Sequence, residues 1–384
     1  MTAVVTDAHY RMSVALIRDL GEAGVRVIAC EKEGFEKTVG FCSRHAARCV
    51  SLPENGYLDA LYDLCREETE KSGEKPALLP VGAQTLAVLS REQTRFSSVC
   101  GLCIPTPEQL RLFNDKAAVA SLAARLGVAV PQSDEKAANE SENAFFARAA
   151  LPCVVKPICG EQFGLHAEAR YRIARTKDEL QSAYTHFSAI THEAPVVQEY
   201  LPGGGLGCSV LCRAGEIVCA IAHRRVREYP VTGGPSSCCQ VVDPAPLLPL
   251  VAPLVRETGY TGLAMFEFKE DAAGKPRLLE INPRVWGTYP LTRASKSNFS
   301  LCWLALSLGK EPPAYRAPDP VKMAFYPSDL AAMLGYLKRG EAGKFFAGLR
   351  DVFSPNVKNG LAERGDAGPS RAYYRQLFFK RRKP

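Results

Sequence analysis

Short apolar runs alternate with helical patterns in the first third of the chain. Residues 3–6 and 25–30 are predicted strands, and residues 77–81 form a third short apolar run. Between the first two strands, apolar residues recur at helical spacing: Met12, Leu16, Leu20 and Ala23. Strands that alternate with helices predict a parallel sheet covered by helices on both faces.

A second pattern follows the proline-rich segment 104–107. Asn114 is predicted to cap a helix over residues 115–126, and the polar stretch 131–142 is typical of a loop. Further strands are predicted at 153–156 and 196–201. The pattern becomes mostly helical after Tyr315, with four apolar residues on one helical face: Leu330, Met333, Leu334 and Leu337.

A β-hairpin is predicted over residues 262–284. Polar and apolar residues alternate along both halves, and a glycine-containing segment between them has the composition of a turn. A turn centred between Ala273 and Gly274 places Glu267 directly opposite Glu280. Opposed side chains have Cβ atoms about 5 Å apart, so the two carboxylates repel each other unless a cation lies between them.

The same register places Asn282 opposite Met265, beside the two carboxylates. Carboxylate and amide oxygens suit a hard ion such as Mg²⁺. The alternative is a solvated hairpin face on which the charges spread apart. Two lysines favour an anion site nearby. Lys156 ends a predicted apolar strand, and Lys116 lies in the first turn of a helix, where a cation is unfavourable unless an anion approaches.

Together these segments resemble the ATP-grasp superfamily. The matching pieces occur in the family's order: residues 114–116, 154–157, 197–201, 266–268 and 279–284. Within the superfamily the chain most resembles the carboxylate–amine ligases related to carbamoyl-phosphate synthase, including the D-aspartate ligase type. The resemblance covers residues 3–310.

The resemblance implies an α/β fold in four parts. A parallel-sheet (pre-ATP-grasp) domain is expected over residues 1–112, and the ATP-grasp lid with its connecting helix over 113–195. The catalytic half of the two-part α+β ATP-grasp domain is expected over 196–312, and a mostly helical extension with a basic tail over 313–384.

The resemblance also implies roles for individual residues. Lys116 and Lys156 would hold the α- and β-phosphates of ATP, and Gly160 would bring backbone N–H groups of the loop 158–164 to phosphate. Adenine would be read by the hinge, which consists of Gln198, Glu199, Tyr200 and Leu201. Two Mg²⁺ ions, with Mn²⁺ as the alternative, would be coordinated by Glu267, Glu280 and Asn282.

Arginines complete the implied site. Arg284 would stabilise the transferring phosphoryl group from the same strand face as Glu280, if the strand continues that far. Arg224 and Arg225 are candidates for clamping a phosphate or a substrate carboxylate. Gly207 departs from the family pattern, because many relatives carry an acid near this point for the ribose hydroxyls.

The leading prediction is an ATP-dependent ligase that activates a carboxylate as an acyl phosphate and joins it to an amine. The second hypothesis is an ATP-grasp enzyme that acts on bicarbonate or another small acid. The third is a nucleotide-binding module without turnover. Trp286 and Tyr289 would wall the acceptor pocket, although core packing is the commoner use of such aromatic residues.

Composition and net charge indicate which classes of binding partner to expect. The net charge is +7, of which the last fourteen residues supply +6, so a basic nucleic-acid-binding body is not expected. No apolar run is long enough for a membrane span, and no signal peptide is evident. Fourteen cysteines without an export signal predict reduced thiols in a cytoplasmic protein, and the lone pair Cys100 and Cys103 lacks partners for zinc. Small-molecule acid and amine substrates are expected. The sequence leaves open whether the protein forms a homodimer.

Overall fold

The structure is a computed structural model, and it describes residues 1–35, 38–157 and 171–380. The loop 158–164, with Gly160, and the last four residues of the basic tail lie outside the described residues.

The N-terminal unit is a parallel sheet with helices on both faces. Its strand order is β3-β2-β1-β4, and all pairs are parallel. Its elements are β1 (Thr2–Val5), α1 (Arg11–Glu22), β2 (Arg26–Lys32), β3 (Arg48–Leu52), α2 (Tyr57–Ser72), β4 (Ala77–Leu79), α3 (Ala83–Arg91), α4 (Gln93–Phe96) and α5 (Pro107–Asn114). Alternate residues of β1 enter separate apolar clusters on the two faces of the sheet, as predicted for a sheet covered on both sides.

The helix after α5 begins one residue later than the sequence predicts. Asn114 is the last residue of α5, and Asp115 caps the next helix instead of Asn114. One oxygen of the Asp115 carboxylate accepts hydrogen bonds from the backbone N–H groups of Ala117 and Ala118, at 2.9 and 3.0 Å. Lys116 is therefore the first residue of the helix.

A small antiparallel sheet forms the second unit, with strand order β5-β8-β6-β7. Its elements are α6 (Lys116–Arg125), β5 (Ser133–Asp134), α7 (Glu142–Arg148), β6 (Cys153–Lys156), β7 (Arg172–Ala174), α8 (Lys177–Thr191) and β8 (Val196–Glu199). Because β8 is an inner strand of this sheet, the expected boundary between residues 195 and 196 is wrong, and the small unit continues through Glu199.

A large sheet carries the rest of the chain, with strand order β13-β12-β9-β10-β11-β14-β15. Its elements are β9 (Gly205–Arg213), β10 (Glu216–Glu228), β11 (Ser236–Val242), α9 (Leu248–Glu257), β12 (Gly262–Glu270), β13 (Pro276–Asn282), α10 (Pro290–Ala294), α11 (Phe299–Ser307), β14 (Lys322–Ala324), α12 (Ser328–Lys338), α13 (Ala342–Val352), β15 (Val357–Asn359) and α14 (Gly368–Lys380). The C-terminal segment is mostly helical as expected, but β14 and β15 extend this sheet, so the expected boundary at 312/313 does not separate an independent unit.

The two faces of the large sheet have different neighbours. One face packs Phe266 and Phe268 against residues of α6 and α9. The other face packs partly against the N-terminal unit, in a cluster that contains Trp286 and Tyr289. These two aromatic residues are at most 1% exposed, so they belong to the core and form no pocket wall. Among the described residues, no helix is long and apolar enough to cross a bilayer.

Candidate nucleotide and metal site

The carboxylate pair lies where the hairpin predicts it. β12 and β13 pair so that Glu267 is opposite Glu280 and Met265 is opposite Asn282. The Asn282 Nδ2 atom lies 3.2 Å from Glu267 Oε1 and 3.4 Å from Glu280 Oε1. The side chains of two glutamates and one asparagine therefore converge on one point of the sheet.

The turn itself differs from the prediction by one residue. Asp271 donates its backbone N–H to the Lys275 carbonyl at 2.9 Å, which centres the turn on Ala273. Further along, Phe268 pairs with Leu278 and the register shifts before Glu267 pairs with Glu280. Leu279 is the extra residue of a β-bulge, and it is 38% exposed. The bulge restores the predicted register at the carboxylates, although it places Leu279 outside the core.

Each carboxylate has a cationic partner. Glu280 Oε2 lies 2.8 Å from Lys116 Nζ at the start of α6. Glu267 accepts a hydrogen bond from the Arg225 guanidinium of β10. Burial raises the pKa of Glu267 by more than Arg225 lowers it, and Glu280 adds to the rise. Burial also opposes the charged form of Glu280, but Lys116 outweighs it and the pKa of Glu280 is lowered.

Lys156 brings an ammonium from the small sheet toward these carboxylates. It ends β6, and its Nζ donates to Gln198 Oε1 of β8 at 2.8 Å. Burial and, to a smaller extent, the nearby Lys116 lower the pKa of Lys156 to about 8, and Glu280 opposes the shift. Two lysines, one from a helix and one from a strand, thus lie near one carboxylate, an arrangement that a polyanion between them would stabilise.

Arg284 lies at the site, but it is not part of the strand as predicted. The strand β13 ends at Asn282 and does not continue to Arg284. The Arg284 backbone N–H instead turns back to the Asn282 carbonyl at 2.9 Å. Its Nη2 donates to Asn282 Oδ1 at 3.0 Å, so the guanidinium lies beside the carboxylate pair and lowers the pKa of Glu267.

Arg224 and Arg225 point to opposite faces of β10. Arg224 makes a bidentate contact with Glu270, with both N–O distances at 2.7 Å, whereas Arg225 contacts Glu267. The structure therefore brings Arg225 into the carboxylate cluster and places Arg224 outside it. A Cβ atom at Gly205 would lie 2.8 Å from Arg225 Cδ, so a glycine leaves room for this arginine.

The predicted hinge has several of its polar groups already engaged. The Gln198 side chain accepts from Lys156, and the Glu199 backbone N–H donates to the Gln132 carbonyl at 2.7 Å. The Tyr200 backbone N–H donates to the Pro152 carbonyl at 3.2 Å, and Leu201 is buried. Adenine recognition by these four residues remains a prediction.

The glycine at position 207 has a structural cause. Gly207 lies on β9 between Glu267 of β12 and His223 of β10. A Cβ atom at Gly207 would overlap the His223 imidazole, which is buried. Burial lowers the pKa of His223 to about 3, so the ring is neutral near pH 7. Any acid at this position would require His223 to move.

Lys269 of β12 is a further candidate site residue that was not among the predicted ones. It follows Glu267 on the same face of β12, and its Nζ lies 5.5 Å from the Tyr200 ring centroid at the end of β8. Burial lowers the pKa of Lys269, so a third ammonium lines the space between the two sheets. The alternation of polar residues along β12 was sufficient to find it.

A second missed group lies at the carboxyl end of the parallel sheet. His9 Nδ1 lies 2.7 Å from Glu31 Oε2, and the same oxygen accepts from the His9 backbone N–H at 2.8 Å. Glu31 is 2% exposed, and its neighbours include Tyr10, whose pKa is raised by burial and is lowered in part by Arg284. Arg11 donates to the Gly287 carbonyl at 3.2 Å. The signal for this group is its position at the carboxyl ends of β1 and β2, where open parallel sheets bind ligands.

The donor set at the carboxylate pair fits Mg²⁺ held partly by phosphate. In the described ranges, no cluster of three His, Cys, Asp or Glu side chains could hold a metal without other ligands. Mg²⁺ is typically bound by one or two carboxylates together with substrate phosphate oxygens, so Glu267, Glu280 and Asn282 are sufficient on the protein side. Cys100 and Cys103 are buried free thiols.

The candidate site thus lies between a small sheet and a large sheet, and it combines lysines, paired glutamates and arginines. Residues 191–325 match the family described as ATP-grasp in the biosynthetic pathway with Ter operon. Over this range, which is about a third of the chain, the sequence is similar to ATP-grasp proteins. A search of curated proteins finds no match.

Solved structures share this fold at low sequence identity. Biotin carboxylase from Campylobacter jejuni is 14% identical, with a TM-score of 0.62 over 83% of this chain and 74% of that one. The biotin carboxylase domain of 2-oxoglutarate carboxylase from Hydrogenobacter thermophilus, a dimer in complex with MgADP, ADP and bicarbonate, is 17% identical, with a TM-score of 0.57 over 83% and 71%. An L-amino acid ligase from Bacillus licheniformis is 15% identical, with a TM-score of 0.52 over 80% and 74%. These similarities establish the fold.

Proposed function

We propose that this protein is an ATP-dependent ligase that converts a substrate carboxylate to an acyl phosphate and transfers the acyl group to an amine. The observation that carries the proposal is the convergence of Glu267, Glu280 and Asn282 with cations from three directions. Phosphoryl transfer requires mainly positioning and charge neutralisation, and this arrangement supplies both.

The chain's own residues have distinct parts in the proposal. Lys116 and Lys156 would bind ATP phosphates, and Lys116 would exchange its contact with Glu280 for phosphate. Glu267, Glu280 and Asn282 would hold one or two Mg²⁺ ions, which would neutralise charge on the phosphates when bound. Arg284 would lie beside the transferring group. Gln198 would hold the Lys156 ammonium in place.

The segment after β1 supports a substrate site next to Arg284. Tyr10 is close enough to Arg284 for the guanidinium to affect its pKa, and Arg11 is hydrogen bonded to Gly287. The buried Glu31 carboxylate contacts His9 through Nδ1, so Nε2 is the ring nitrogen that would act on a substrate. In this proposal His9 would accept a proton from the incoming ammonium group before amide formation.

A bicarbonate-dependent reaction is the second candidate. Two of the three similar structures described above are a biotin carboxylase and a biotin carboxylase domain, and the second was solved with bicarbonate. Their identities support no transfer of activity, but they define the competing substrate to include.

The test measures phosphate release from MgATP with a panel of amino acids, supplied singly and in pairs, and with bicarbonate. Release that requires a carboxylate and forms an amide with an added amine supports the ligase. Release that requires bicarbonate alone supports the second candidate. MgATP binding without release under every condition contradicts both and supports a nucleotide-binding module.

The Arg284→Ala variant tests the transfer step in the ligase. We expect turnover to fall by two or more orders of magnitude while ATP affinity changes less than about tenfold, because a cation beside developing charge acts mainly in the transition state. Substrate labelled with ¹⁸O in its carboxylate should transfer label to the released phosphate. Amide formation without label transfer would exclude an acyl phosphate. Arg316→Ala, an exposed arginine paired with Asp319, is the matched control.

A further inference from the structure

Exposed apolar side chains are concentrated on one segment of the described chain. More than half of the large apolar residues that the structure leaves exposed lie between α12 and the residue after α13. They are Leu330, Leu334, Leu337, Phe346, Leu349, Val352 and Phe353, with exposures from 37% to 80%. We call this set the hairpin face. Exposed apolar side chains that are concentrated on one segment in this way indicate an interaction site in a folded protein.

The residues of the hairpin face are spaced as two helical stripes. Leu330, Leu334 and Leu337 recur at i, i+4 and i+7 along α12. Phe346, Leu349 and Phe353 recur at i, i+3 and i+7 along α13 and its end. The two helices follow each other directly and pack together, so their stripes belong to one helical hairpin.

A buried ion network fixes the opposite side of the hairpin. Arg227 of β10 donates to Asp329 of α12 at 2.8 Å and to Asp351 of α13 at 2.7 Å. Asp351 also accepts from Lys322 at 3.0 Å. Arg227 and Asp329 are at most 3% exposed. Turning the apolar stripes inward would move Asp329 and Asp351 away from Arg227 and leave its guanidinium buried without their carboxylates, so the hairpin face stays outward.

The charged residues around the hairpin face are mostly basic. Lys338, Arg339, Lys344 and Arg350 are exposed on the hairpin. Of the acids in α12, α13 and the turn between them, Asp329 and Asp351 are buried in the network just described. Glu341 is the remaining one, and it is shared between Arg339 and Lys344. The surface therefore combines apolar stripes with a net positive border.

We propose that the hairpin face binds the surface of an anionic lipid bilayer. Apolar helix faces bordered by lysine and arginine insert at the boundary between headgroups and acyl chains, and anionic headgroups attract the basic border. A second copy of the chain fits less well, because a symmetric contact would bring the same cations together. The hairpin would lie on the surface of the bilayer.

The test is co-sedimentation of the full chain with vesicles. Vesicles of phosphatidylcholine mixed with phosphatidylserine should bind it, and vesicles of phosphatidylcholine alone should bind it weakly. The triple variant Leu334→Ser, Phe346→Ser, Phe353→Ser should lower binding by at least about tenfold, because each side chain loses burial in the acyl region. Leu279→Ser, at the opposite edge of the large sheet, is the matched control for an exposed leucine.

A second pair of variants tests the charges. Lys338→Gln with Arg350→Gln should weaken binding to phosphatidylserine vesicles by roughly fivefold for each cation removed. Lys75→Gln with Lys310→Gln removes equal charge elsewhere and should have no such effect. Thermal unfolding of each variant establishes that it is folded.

Three results would overturn the proposal. They are no binding of the unaltered chain to the anionic vesicles, binding that the hairpin variants leave unchanged, and a dimer in sedimentation equilibrium that the triple apolar variant converts to monomer. The last result would assign the hairpin face to a second copy of the chain.

Discussion

At Lys156 an ammonium group is held largely out of water next to a second cation. Its pKa of about 8 means that the free site loses this charge as the pH rises through 8. In the unfolded chain the lysine stays protonated up to its ordinary pKa of 10.5, so the cost of burying the charged form is greatest below pH 8 and declines as the pH rises from 8 toward that value. A bound polyphosphate favours the charged form and should return the pKa toward its ordinary value.

Nucleotide binding is therefore expected to take up protons near and above pH 8. Affinity for a non-hydrolysable ATP analogue should fall by about tenfold between pH 7 and pH 9 if Lys156 must be charged in the complex. Calorimetric titration in buffers of different ionisation enthalpy measures the proton uptake. Lys156→Arg stays charged and should bind without this uptake. Equal uptake in Lys156→Arg would assign the titration to another group.

Glu280 is expected to couple nucleotide binding to Mg²⁺. The carboxylate neutralises Lys116 in the free protein, so Glu280→Gln releases that lysine for phosphate. We expect affinity for the ATP analogue without Mg²⁺ to be unchanged or higher, and the gain from adding Mg²⁺ to fall by at least about tenfold. Glu257→Gln, an exposed glutamate paired with Arg125, is the control. A full Mg²⁺ gain in Glu280→Gln would contradict the metal assignment.

The β12–β13 hairpin combines a polar face with a core face. Phe266 is fully buried directly behind the carboxylates, and Ile281 and Leu278 pack in the same cluster. Because side chains alternate along a strand, this core face holds the carboxylates toward the cleft. The bulge at Leu279 interrupts this alternation once. As a result, Leu278 packs in the core, whereas Glu280, two residues later, faces the cleft.

Removing a side chain from the core face should be far more destabilising than removing the bulge side chain. Phe266→Ala is expected to lower the free energy of unfolding by about 3–5 kcal/mol, since it leaves a cavity in a packed core. Leu279→Ala, on the neighbouring strand but 38% exposed, should change it by less than about 1 kcal/mol. Denaturant unfolding of both variants measures the difference. Similar losses for the two variants would mean that the bulge is packed in solution.

At the scale of the whole molecule, the C-terminal segment joins units that are distant in sequence. Arg18 of α1 donates to Asp366 Oδ2 at 2.8 Å and to the Leu361 carbonyl at 2.8 Å. Asp366 also accepts from Ser43 at 2.7 Å. Both charged side chains are only 4% exposed, so the C-terminal segment is tied to the N-terminal unit through a buried ion pair.

Breaking this pair should destabilise the fold more than breaking a surface pair. Asp366→Ala leaves the buried Arg18 charge with only the Glu363 carboxylate at 3.5 Å, and it is expected to cost about 3 kcal/mol. Asp319→Ala removes an exposed carboxylate 3.7 Å from Lys296 and should cost less than about 1 kcal/mol. Thermal and denaturant unfolding compare the two. A small effect of Asp366→Ala would indicate that the C-terminal segment contributes little to the stability of the N-terminal unit.

Local patterns were sufficient to predict the parallel N-terminal sheet, the strand at Lys156 and the pairing of Glu267 with Glu280. Each of these depends on residues close together in the chain, through alternation, turn composition or helix capping. The limits of local patterns show at Asn114, where two adjacent polar residues compete for one cap and Asp115 occupies it.

Contacts between units were decided by packing, which no local pattern encodes. The approach of Lys156 to Gln198, of Lys116 to Glu280 and of His9 to Glu31 requires separate strands and helices to meet. The end of β13 at Asn282, which turns Arg284 back onto the site, likewise depends on neighbouring elements. An apolar helical stripe has the same sequence pattern whether it faces the core or the solvent. The stripe on α12 faces outward because Arg227 buries the charges on the opposite side of the helix.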